Sequence, residues 1–211
     1  MVIAIDGPAG AGKSTVARGV ADALGFTYLD SGGMYRTVAL AATERGVDLD
    51  DGSALGKLAA GLTIEPGDGA RLDGRDVSAA IRAPEVSAGA SRVSVHPQVR
   101  KAMVARQREL IAAGDYVAEG RDIGTVVSPD SPLKVFLTAS EEERARRRAA
   151  DTGEPVEAVL EQLRARDGRD REREHGALRP ADDSVELDTT GFSVEKVVAR
   201  VVALARERGL A

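Results

Sequence analysis

The stretch that decides the fold is IDGPAGAGKST, residues 5–15. Within it, Gly7–Ser14 fits the pattern G-x-x-x-x-G-K-[ST] without a mismatch. The apolar run Val2–Asp6 before it predicts a buried strand, and Lys13–Leu24 after it has the periodicity of an amphipathic helix. A glycine-rich turn between a strand and a helix directs successive backbone N–H groups at phosphate oxygens. The motif therefore predicts a nucleoside triphosphate site.

Single residues of this loop have predicted tasks. Lys13 is expected to neutralise the β- and γ-phosphates, and the Ser14 hydroxyl to bind Mg²⁺. A GTPase switch, a motor and a small-molecule kinase would each use such a loop. The D-x-x-G match at Asp188–Gly191 is not followed by an N-K-x-D guanine motif, which argues against the switch. The residues predicted to bind the donor are Gly7, Pro8, Ala9, Gly10, Ala11, Gly12, Lys13, Ser14 and Thr15.

Composition limits the classes of function. The 211 residues are 43% hydrophobic with a formal net charge of -5, which indicates a globular protein and argues against a nucleic acid polymer as partner. The chain has no cysteine, so disulfides and thiolate metal sites are excluded. The start MVIAIDGPAG lacks a signal-peptide pattern, and no apolar run reaches the roughly 20 residues of a membrane span. We expect a cytoplasmic protein that does not enter a membrane.

Strands alternate with helices along most of the chain. This order is typical of a parallel sheet covered on both faces, so we expect an α/β fold with its ligand crevice at the carboxyl ends of the strands. A hairpin, Leu62–Glu65 with Arg71–Val77 around PGDGA, interrupts the alternation and is interpreted as an insertion. Further strands are predicted at Thr27–Asp30, Tyr116–Glu119, Leu133–Leu137 and Val185–Asp188, and further helices at Met34–Arg45, Pro84–Val95, Pro97–Ala113, from Ser140 onward and at Ser193–Arg208.

Two strand ends carry a glycine beside an arginine. Asp30–Arg36, DSGGMYR, begins where one predicted strand ends, and Glu119–Gly124, EGRDIG, follows another. Glycine for a turn and aspartate for a helix cap would explain either stretch as structure alone. Two such strand ends with an arginine each are more than turns require, which favours a second anionic substrate.

The stretch RARDGRDREREH, Arg164–His175, mixes five arginines with four acidic residues. A charge run of alternating sign is usually a solvated helix face. Arg166, Asp170 and Arg173 stand at i, i+4 and i+7, so one helical stripe would carry all three. Spacing alone does not separate a solvated face from a phosphate site.

The motifs taken together resemble bacterial cytidylate kinase, a family of nucleoside monophosphate kinases. The matching stretches are IDGPAGAGKST, LDSGGMYR, VSAAIRAPEV, SRVSVHPQVR, EGRDIGTVVSP and RARDGRDRER, in order along nearly the whole chain. The resemblance implies a P-loop NTPase core with a five-stranded parallel sheet, a monophosphate-binding insert and a small lid. In one domain of residues 1–211, the core would cover about 1–61, 96–140 and 176–211, the insert about 62–95, and the lid with the arginine-rich helix about 141–175.

The resemblance also implies roles for single residues. Arg36, Arg121 and Arg173 would hold the acceptor phosphate, and Ser91, Arg100 and Asp122 would face the cytosine ring. Arg166 and Asp170 would lie near the ribose. The resemblance thus implies that part of the charge run Arg164–His175 belongs to the substrate site. Arg147 would bind the donor and Arg148 would act in catalysis from the lid, together with Lys13, Arg121 and Arg173. The expected acceptor site is Ser31, Gly32, Tyr35, Arg36, Ser91, Arg100, Arg121, Asp122, Arg166, Asp170 and Arg173.

The expected reaction is transfer of the γ-phosphoryl group of ATP to CMP or dCMP, with Mg²⁺ and without a protein nucleophile. We expect a monomer. His96 is interpreted as a helix-entry residue and His175 as a surface residue. The alternatives are a kinase for another small acceptor, such as a different nucleoside monophosphate or shikimate, and a regulator that hydrolyses nucleotide slowly.

Overall fold

The structure, a computed structural model, describes residues 1–66 and 70–210. The chain forms two compact units, Met1–Tyr28 with Asp115–Ala211, and Leu29–Gly114. The boundaries expected from the sequence for the insert, about 62–95, and for the lid with the arginine-rich helix, about 141–175, remain a prediction. The elements in chain order are β1 Val2–Asp6, α1 Lys13–Leu24, β2 Thr27–Asp30, α2 Ser31–Glu44, α3 Gly52–Gly61, β3 Ile64–Pro66, β4 Ala70–Leu72, β5 Arg75–Asp76, a 3-10 turn Ala80–Arg82, α4 Pro84–Val93, α5 Pro97–Ile111, β6 Tyr116–Gly120, a π-helical segment Ile123–Val127, β7 Leu133–Thr138, α6 Glu141–Thr152, α7 Val156–Glu172, β8 Val185–Asp188 and α8 Val194–Glu207.

A five-stranded sheet in the order β2-β6-β1-β7-β8 forms the centre of the first unit. Strand β1 pairs in parallel with both β6 and β7, and β7 pairs in parallel with β8. Ile3 and Ile5 of β1 are fully buried, with helices α1 and α8 packed together on the same apolar core. The α/β class and the five-stranded parallel sheet are confirmed.

The register of the strands brings the predicted motifs to one edge. Asp6, the last residue of β1, lies beside Gly120 of β6 on one side and Phe136 of β7 on the other. The phosphate loop and the EGRDIG stretch both leave the sheet there, because parallel strands end at the same edge. Helices α6 and α7 pack on each other around Ala145, Ala149 and Val159, with Ala9 of the loop in the same cluster.

The second unit is mainly helical. Helix α3 packs on α5, and α2 packs on α4. Strands β3, β4 and β5 form a small antiparallel sheet, and Met34, Val38 and Leu55 lie in the buried interior. No helix within residues 1–66 and 70–210 combines the length and the apolar character that crossing a membrane requires.

The sequence missed some of the structure in this unit. Helix α3 was not predicted, because only Leu55 and Ala59 are buried along it and its glycines weaken the helical pattern. Its start is nevertheless capped, since the Asp51 carboxylate accepts from the backbone N–H groups of Ser53 and Ala54 at 3.0 and 2.9 Å.

The predicted hairpin is only partly correct. Arg71–Val77 was taken as one strand, but it contains β4 and β5 with a tight turn at Asp73 and Gly74, whose φ angles are 49° and 80°. Asp-Gly is a strong turn signal because both positions accept positive φ. The predicted PGDGA turn between β3 and β4 lies largely outside the described residues.

Candidate active site

The phosphate loop leaves β1 and enters α1 as predicted. Its glycines are required by close approach: a Cβ on Gly7, where φ is 152°, would lie 2.1 Å from the carbonyl oxygen of Leu137. A Cβ on Gly10, where φ is 77°, would lie 3.0 Å from the Cβ of Arg144. The loop is therefore pressed against β7 and α6, and both positions need glycine.

The first turn of α1 opens into a cavity of ≈ 470 Å³, which we call the donor cavity. The Phe192 side chain is 57% exposed and lies at this cavity beside Val194. An apolar wall next to a phosphate loop suits a ligand with a flat aromatic part and a phosphate chain. The donor cavity is lined by Gly10, Ala11, Gly12, Lys13, Ser14, Thr15, Val16, Arg147, Arg148, Asp151, Thr189, Phe192, Val194 and Val197.

Lys13, in the phosphate loop, is buried. Burial lowers the pKa of the Lys13 ammonium to about 7, and the positive charges of Arg121 and Arg166 act in the same direction. The carboxylates of Glu119 and Asp6 oppose this shift. An anionic phosphate near the ammonium would restore its charged form, because an opposite charge favours ionisation.

Arg147 and Arg148 of α6, the two arginines predicted to act from a lid, both line the donor cavity, but their surroundings differ. The Arg147 guanidinium donates to the hydroxyl and the carbonyl oxygen of Thr189 at 3.0 and 2.7 Å, and to the Glu143 carboxylate at 2.9 Å. The half-buried Arg148 side chain has no ion-pair partner among the described residues. Arg148 therefore differs from Arg147 in having no ion pair among the described residues at this cavity.

The donor set fits Mg²⁺ better than a metal held by protein ligands alone. The described residues contain no group of three or more histidine, aspartate or glutamate side chains able to hold a metal ion. Ser14, exposed at the donor cavity, contributes one hydroxyl oxygen. Mg²⁺ commonly keeps several waters and takes phosphate oxygens with few protein ligands, so this donor set suits it.

A buried carboxylate gathers the predicted phosphate-binding arginines of the first unit. Asp170 of α7 is 1% exposed, accepts from Arg121 Nε at 2.9 Å and forms an ion pair with Arg173. Burial by itself raises the pKa of the Asp170 carboxyl, but the charges of Arg121, Arg173 and Arg166 outweigh it and hold the pKa below its usual range. We call Arg121, Arg166, Asp170 and Arg173 the arginine cluster.

The predicted helical stripe of Arg166, Asp170 and Arg173 needs a correction. Helix α7 ends at Glu172, and Arg173 follows in an extended conformation with ψ 132°. Arg173 still reaches Asp170 because the last helical turn places their side chains together. Arg164, by contrast, is an exposed residue paired with Glu141 at 2.7 Å, as a solvated face requires.

A second buried carboxylate holds the EGRDIG turn. Asp6 at the end of β1 accepts from the backbone N–H of Ile123 at 2.9 Å and from that of Gly124 at 2.7 Å. Burial raises the pKa of the Asp6 carboxyl to about 6, although these two hydrogen bonds lower it. Asp122, the predicted base-reading residue, is 6% exposed and directly precedes these two amides. The turn that carries it is thus tied to the start of the phosphate loop.

The remaining predicted acceptor residues lie in the second unit. Asp30 caps α2 by accepting from Gly33 N at 2.7 Å, so the helix begins at Ser31 and not at Met34 as predicted. The same carboxylate pairs with Arg36 at 2.5 Å, while the buried Nε of Arg36 has no hydrogen-bond partner among the described residues. Gly32 lies in the first turn of α2.

Three buried side chains of α2, α4 and α5 belong to the same predicted set. The Arg100 guanidinium carbon lies 6.0 Å from the centroid of the Tyr35 ring, within range of a cation–π contact. Ser91 is 3% exposed on α4. His96 precedes α5 as its N-cap residue and contacts the Leu49 carbonyl oxygen at 2.9 Å, whereas His175 is exposed. Both histidine interpretations are confirmed.

Sequence reasoning missed several residues at the site. Asp6 precedes the loop motif, and Asp167 lies inside RARDGRDRER, but an acidic residue in a motif does not show which backbone amide it reaches. Thr189 and Phe192 follow β8, and their only signal is their position after a parallel strand. A cap at Asp30 was considered only as the structural alternative for this stretch, and its contact with Arg36 depends on a helix that starts earlier than predicted.

Comparisons with known proteins agree with the motifs. A family model described as cytidylate kinase matches residues 3–207. A cytidylate kinase from Cupriavidus necator is 51% identical over 207 residues, covering 95% of this chain and 93% of that protein. Cytidylate kinases from Pseudomonas aeruginosa and Solibacter usitatus are each 47% identical, covering 99% of this chain and 96% and 93% of theirs.

Solved structures with low sequence identity share the fold. A gluconokinase from Sinorhizobium meliloti matches with a TM-score of 0.53 at 18% identity, covering 99% of this chain and 93% of that one. A sugar kinase from Janibacter sp. HTCC2649 matches with a TM-score of 0.51 at 16% identity, covering 100% and 97%. Both similarities concern the α/β architecture alone.

Proposed function

This chain belongs to the cytidylate kinase family, and we propose that its phosphate loop and arginine cluster transfer the γ-phosphoryl group of ATP to CMP or dCMP. The products are ADP and CDP or dCDP. The single observation that carries this assignment is the pairing of a phosphate loop with a buried carboxylate that gathers Arg121 and Arg173 within one compact unit. The chain is thus an ATP-dependent nucleoside monophosphate kinase.

The donor is bound by the loop, and its charge is balanced by Lys13 and the lid arginines. Backbone N–H groups of Gly10–Lys13 bind phosphate oxygens, and the adenine occupies the apolar wall near Phe192. Ser14 would hold Mg²⁺ at this cavity, and the ion would supply charge neutralisation at the β- and γ-phosphates. Arg148 supplies a further positive charge to the transferred group, because it has no ion-pair partner among the described residues.

The acceptor phosphate is bound by arginines. Arg121 and Arg173 are oriented by Asp170, which uses both of its carboxylate oxygens on them. Arg36 of the second unit keeps its Nε available after its contact with Asp30. A transition state with charge spread over phosphoryl oxygens is stabilised by such preorganised cations, and no nucleophilic side chain is needed.

The base and the ribose are recognised by the remaining predicted residues. Asp122 accepts from the exocyclic amine of cytosine, Arg100 donates to its acceptor edge, and Ser91 also contributes to base recognition. Arg166 and Asp170 lie near the ribose, and Ser31, Gly32 and Tyr35 complete the acceptor side. We also propose that the protein is a cytoplasmic monomer.

The test is a coupled ADP-release assay with a panel of acceptors. CMP and dCMP should support rapid ADP release, while UMP, AMP and shikimate should support much less and the reaction without acceptor almost none. Rapid release without acceptor would identify a nucleotide hydrolase, and a preference for another acceptor would overturn the cytidylate assignment. Direct detection of CDP by chromatography distinguishes transfer from hydrolysis.

A further inference from the structure

One residue of the phosphate loop, Ala9, is held through both its backbone N–H and its carbonyl oxygen by a buried ion pair. The Ala9 N–H donates to Asp167 Oδ1 at 3.3 Å, and the Ala9 carbonyl oxygen accepts from Arg144 at 2.9 Å. Arg144 and Asp167 contact each other at 2.6 Å, and their side chains are only 3% and 2% exposed. We call Arg144 and Asp167 the loop clamp.

Both clamp residues make hydrogen bonds to the protein backbone in addition to their contact with each other. Besides Ala9 and Asp167, the Arg144 guanidinium donates through Nε to the carbonyl oxygen of Ala139, just after β7, at 3.2 Å. A buried ion pair contributes little to stability unless its remaining donors and acceptors are satisfied. Here two of those extra hydrogen bonds go to the backbone of Ala9 and one to Ala139, so the ion pair ties the loop to the chain that follows β7.

The packing of α6 supports the same reading. Gly10, the residue after Ala9, lies so close to Arg144 that an added Cβ would be 3.0 Å from the Arg144 Cβ and 3.1 Å from its carbonyl oxygen. The path of the loop between Ala9 and Gly10 is thus set by α6. The N–H groups that follow Gly10 are those expected at the phosphates.

Helix α7 carries two buried carboxylates three residues apart. The Asp167 carboxylate contacts the phosphate loop, and the Asp170 carboxylate contacts Arg121 and Arg173; both residues are buried. Residues at i and i+3 lie on the same face of a helix. One face of α7 therefore supports the donor side with one carboxylate and the acceptor side with the other.

We propose that Arg144 and Asp167 are positioning residues for the donor, and that Asp167 and Asp170 divide the support of ATP and CMP between two adjacent carboxylates of α7. The proposal rests on the proposed function for the identity of the acceptor. Neither clamp residue touches substrate; both act through the backbone of Ala9. Loss of the clamp therefore weakens ATP binding and leaves CMP binding nearly unchanged.

The first test compares Asp167→Asn with Asp170→Asn. A neutral amide at 167 keeps the shape but presents an N–H₂ group to donors and loses the charge opposite Arg144. We expect the KM for ATP to rise roughly tenfold with the KM for CMP within about twofold of wild type. Asp170→Asn should show the reverse pattern. The matched control is Glu141→Gln, which breaks the exposed pair with Arg164 and should change neither KM.

A merely structural role would give a different result. Partial unfolding lowers kcat through the fraction of active enzyme and leaves both KM values alone, and a general distortion raises both KM values together. Either outcome for Asp167→Asn would overturn the proposal. If this variant does not fold, the double variant Arg144→Met/Asp167→Leu replaces the pair by apolar side chains and is judged by the same KM pattern.

Equilibrium binding keeps the proposal separate from the assignment of the acceptor. A non-hydrolysable ATP analogue is titrated calorimetrically into wild type, Asp167→Asn and Glu141→Gln without any acceptor. Weaker binding in Asp167→Asn alone, by roughly tenfold, supports the clamp, and equal binding in all three overturns it. Failure of the wild type to phosphorylate CMP would instead refute the proposed function and leave this comparison valid.

Discussion

At the residue scale, Lys13 is a cation kept in a place that disfavours its charge. Its ammonium donates to the Pro8 carbonyl oxygen at 2.7 Å, and its side chain is buried. Burial is the main reason that the pKa of the Lys13 ammonium is lowered to about 7, and the positive charge of Arg121 lowers it further. Such a group gains most when a polyanion arrives, because phosphate both pairs with the charge and restores the proton.

Lys13→Met tests this role directly. Removing the cation should lower the rate of phosphoryl transfer by about 100-fold or more, because a preorganised charge at the transferred group is lost. Circular dichroism should show an unchanged fold. The control is Lys57→Met, an exposed residue of α3. Near-normal phosphoryl transfer by Lys13→Met would show that Lys13 does not supply the catalytic charge of the phosphate loop.

Base choice is predicted to rest on Asp122. An ionised carboxylate only accepts hydrogen bonds, so it favours the cytosine amine and repels the uracil carbonyl, and an unmatched polar group in a buried site costs about 1–3 kcal/mol. Asp122→Asn can turn its amide to donate. We expect the ratio of kcat/KM for CMP over UMP to narrow, mainly through loss of CMP activity.

The measurement is kcat/KM for both acceptors in wild type, Asp122→Asn and the exposed control Asp130→Asn. The Asp6 hydrogen bonds to the following amides should hold the turn in place in the variant, so residual activity is expected. An unchanged CMP/UMP ratio would show that Asp122 does not read the base.

At the scale of elements, two arginines at the C-terminal end of α7, Arg171 and Arg173, differ in their burial. Arg173 is half-buried against Asp170, and Arg171 is exposed. Arg173→Ala should raise the KM for CMP and also lower kcat, because charge on the moving phosphoryl group grows in the transition state.

Arg171→Ala is the matched control for this prediction. Exposed ion pairs contribute only about 0–1 kcal/mol, so its KM and kcat should remain close to wild type. Steady-state kinetics with CMP as the varied substrate compares the two variants. Similar losses in both would mean that the position of Arg173 beside Asp170 has no functional meaning.

At the scale of the whole molecule, the two functional carboxylates Asp6 and Asp170 affect the free energy of unfolding in opposite ways. Burial raises the pKa of Asp6 to about 6, so the folded state holds its proton more tightly than the unfolded chain does. Asp170 is buried too, but the arginines around it keep its pKa below the usual range. Stability depends on pH through the difference in bound protons between the two states.

The predicted signs follow from this linkage. Between about pH 4 and 6 the Asp6 contribution to the free energy of unfolding should fall as pH rises, because the folded state binds the extra proton. The Asp170 contribution is fully present above its ordinary pKa and should be lost as pH falls below it.

Urea unfolding of wild type, Asp6→Asn and Asp170→Asn measures both effects when the pH series runs from well below the ordinary pKa of an aspartate up to about pH 6. The difference between wild type and Asp6→Asn should decline with rising pH, and the difference between wild type and Asp170→Asn should grow as pH rises through the acid range. Equal slopes for the two differences would contradict the opposed environments of these carboxylates.

Local patterns explain which parts of the molecule the sequence predicted. The phosphate loop, β1 and α1 were predicted because a strand, a glycine turn and a helix are encoded within a short stretch. The predicted start of α2 was wrong because Gly32 and Gly33 favour a turn. In the structure the Asp30 carboxylate accepts from Gly33 N, and this cap lets the helix begin before the glycines. A Cβ on Gly33 would lie 2.9 Å from the Asp30 carboxylate, so glycine there serves the cap.

By itself, the sequence determined the fold class and the phosphate-loop motif, because these follow from periodicity and from motifs of neighbouring residues, and its resemblance to cytidylate kinases indicated the family. Only the tertiary structure decided which charges work together. Asp167 reaches Ala9 across 158 positions, Asp6 reaches Gly124 across 118, and Asp170 reaches Arg121 across 49. The physical reason is that a buried carboxylate needs hydrogen-bond donors, and the fold supplies them from residues far away in the sequence. A local sequence pattern therefore cannot predict which donors these are.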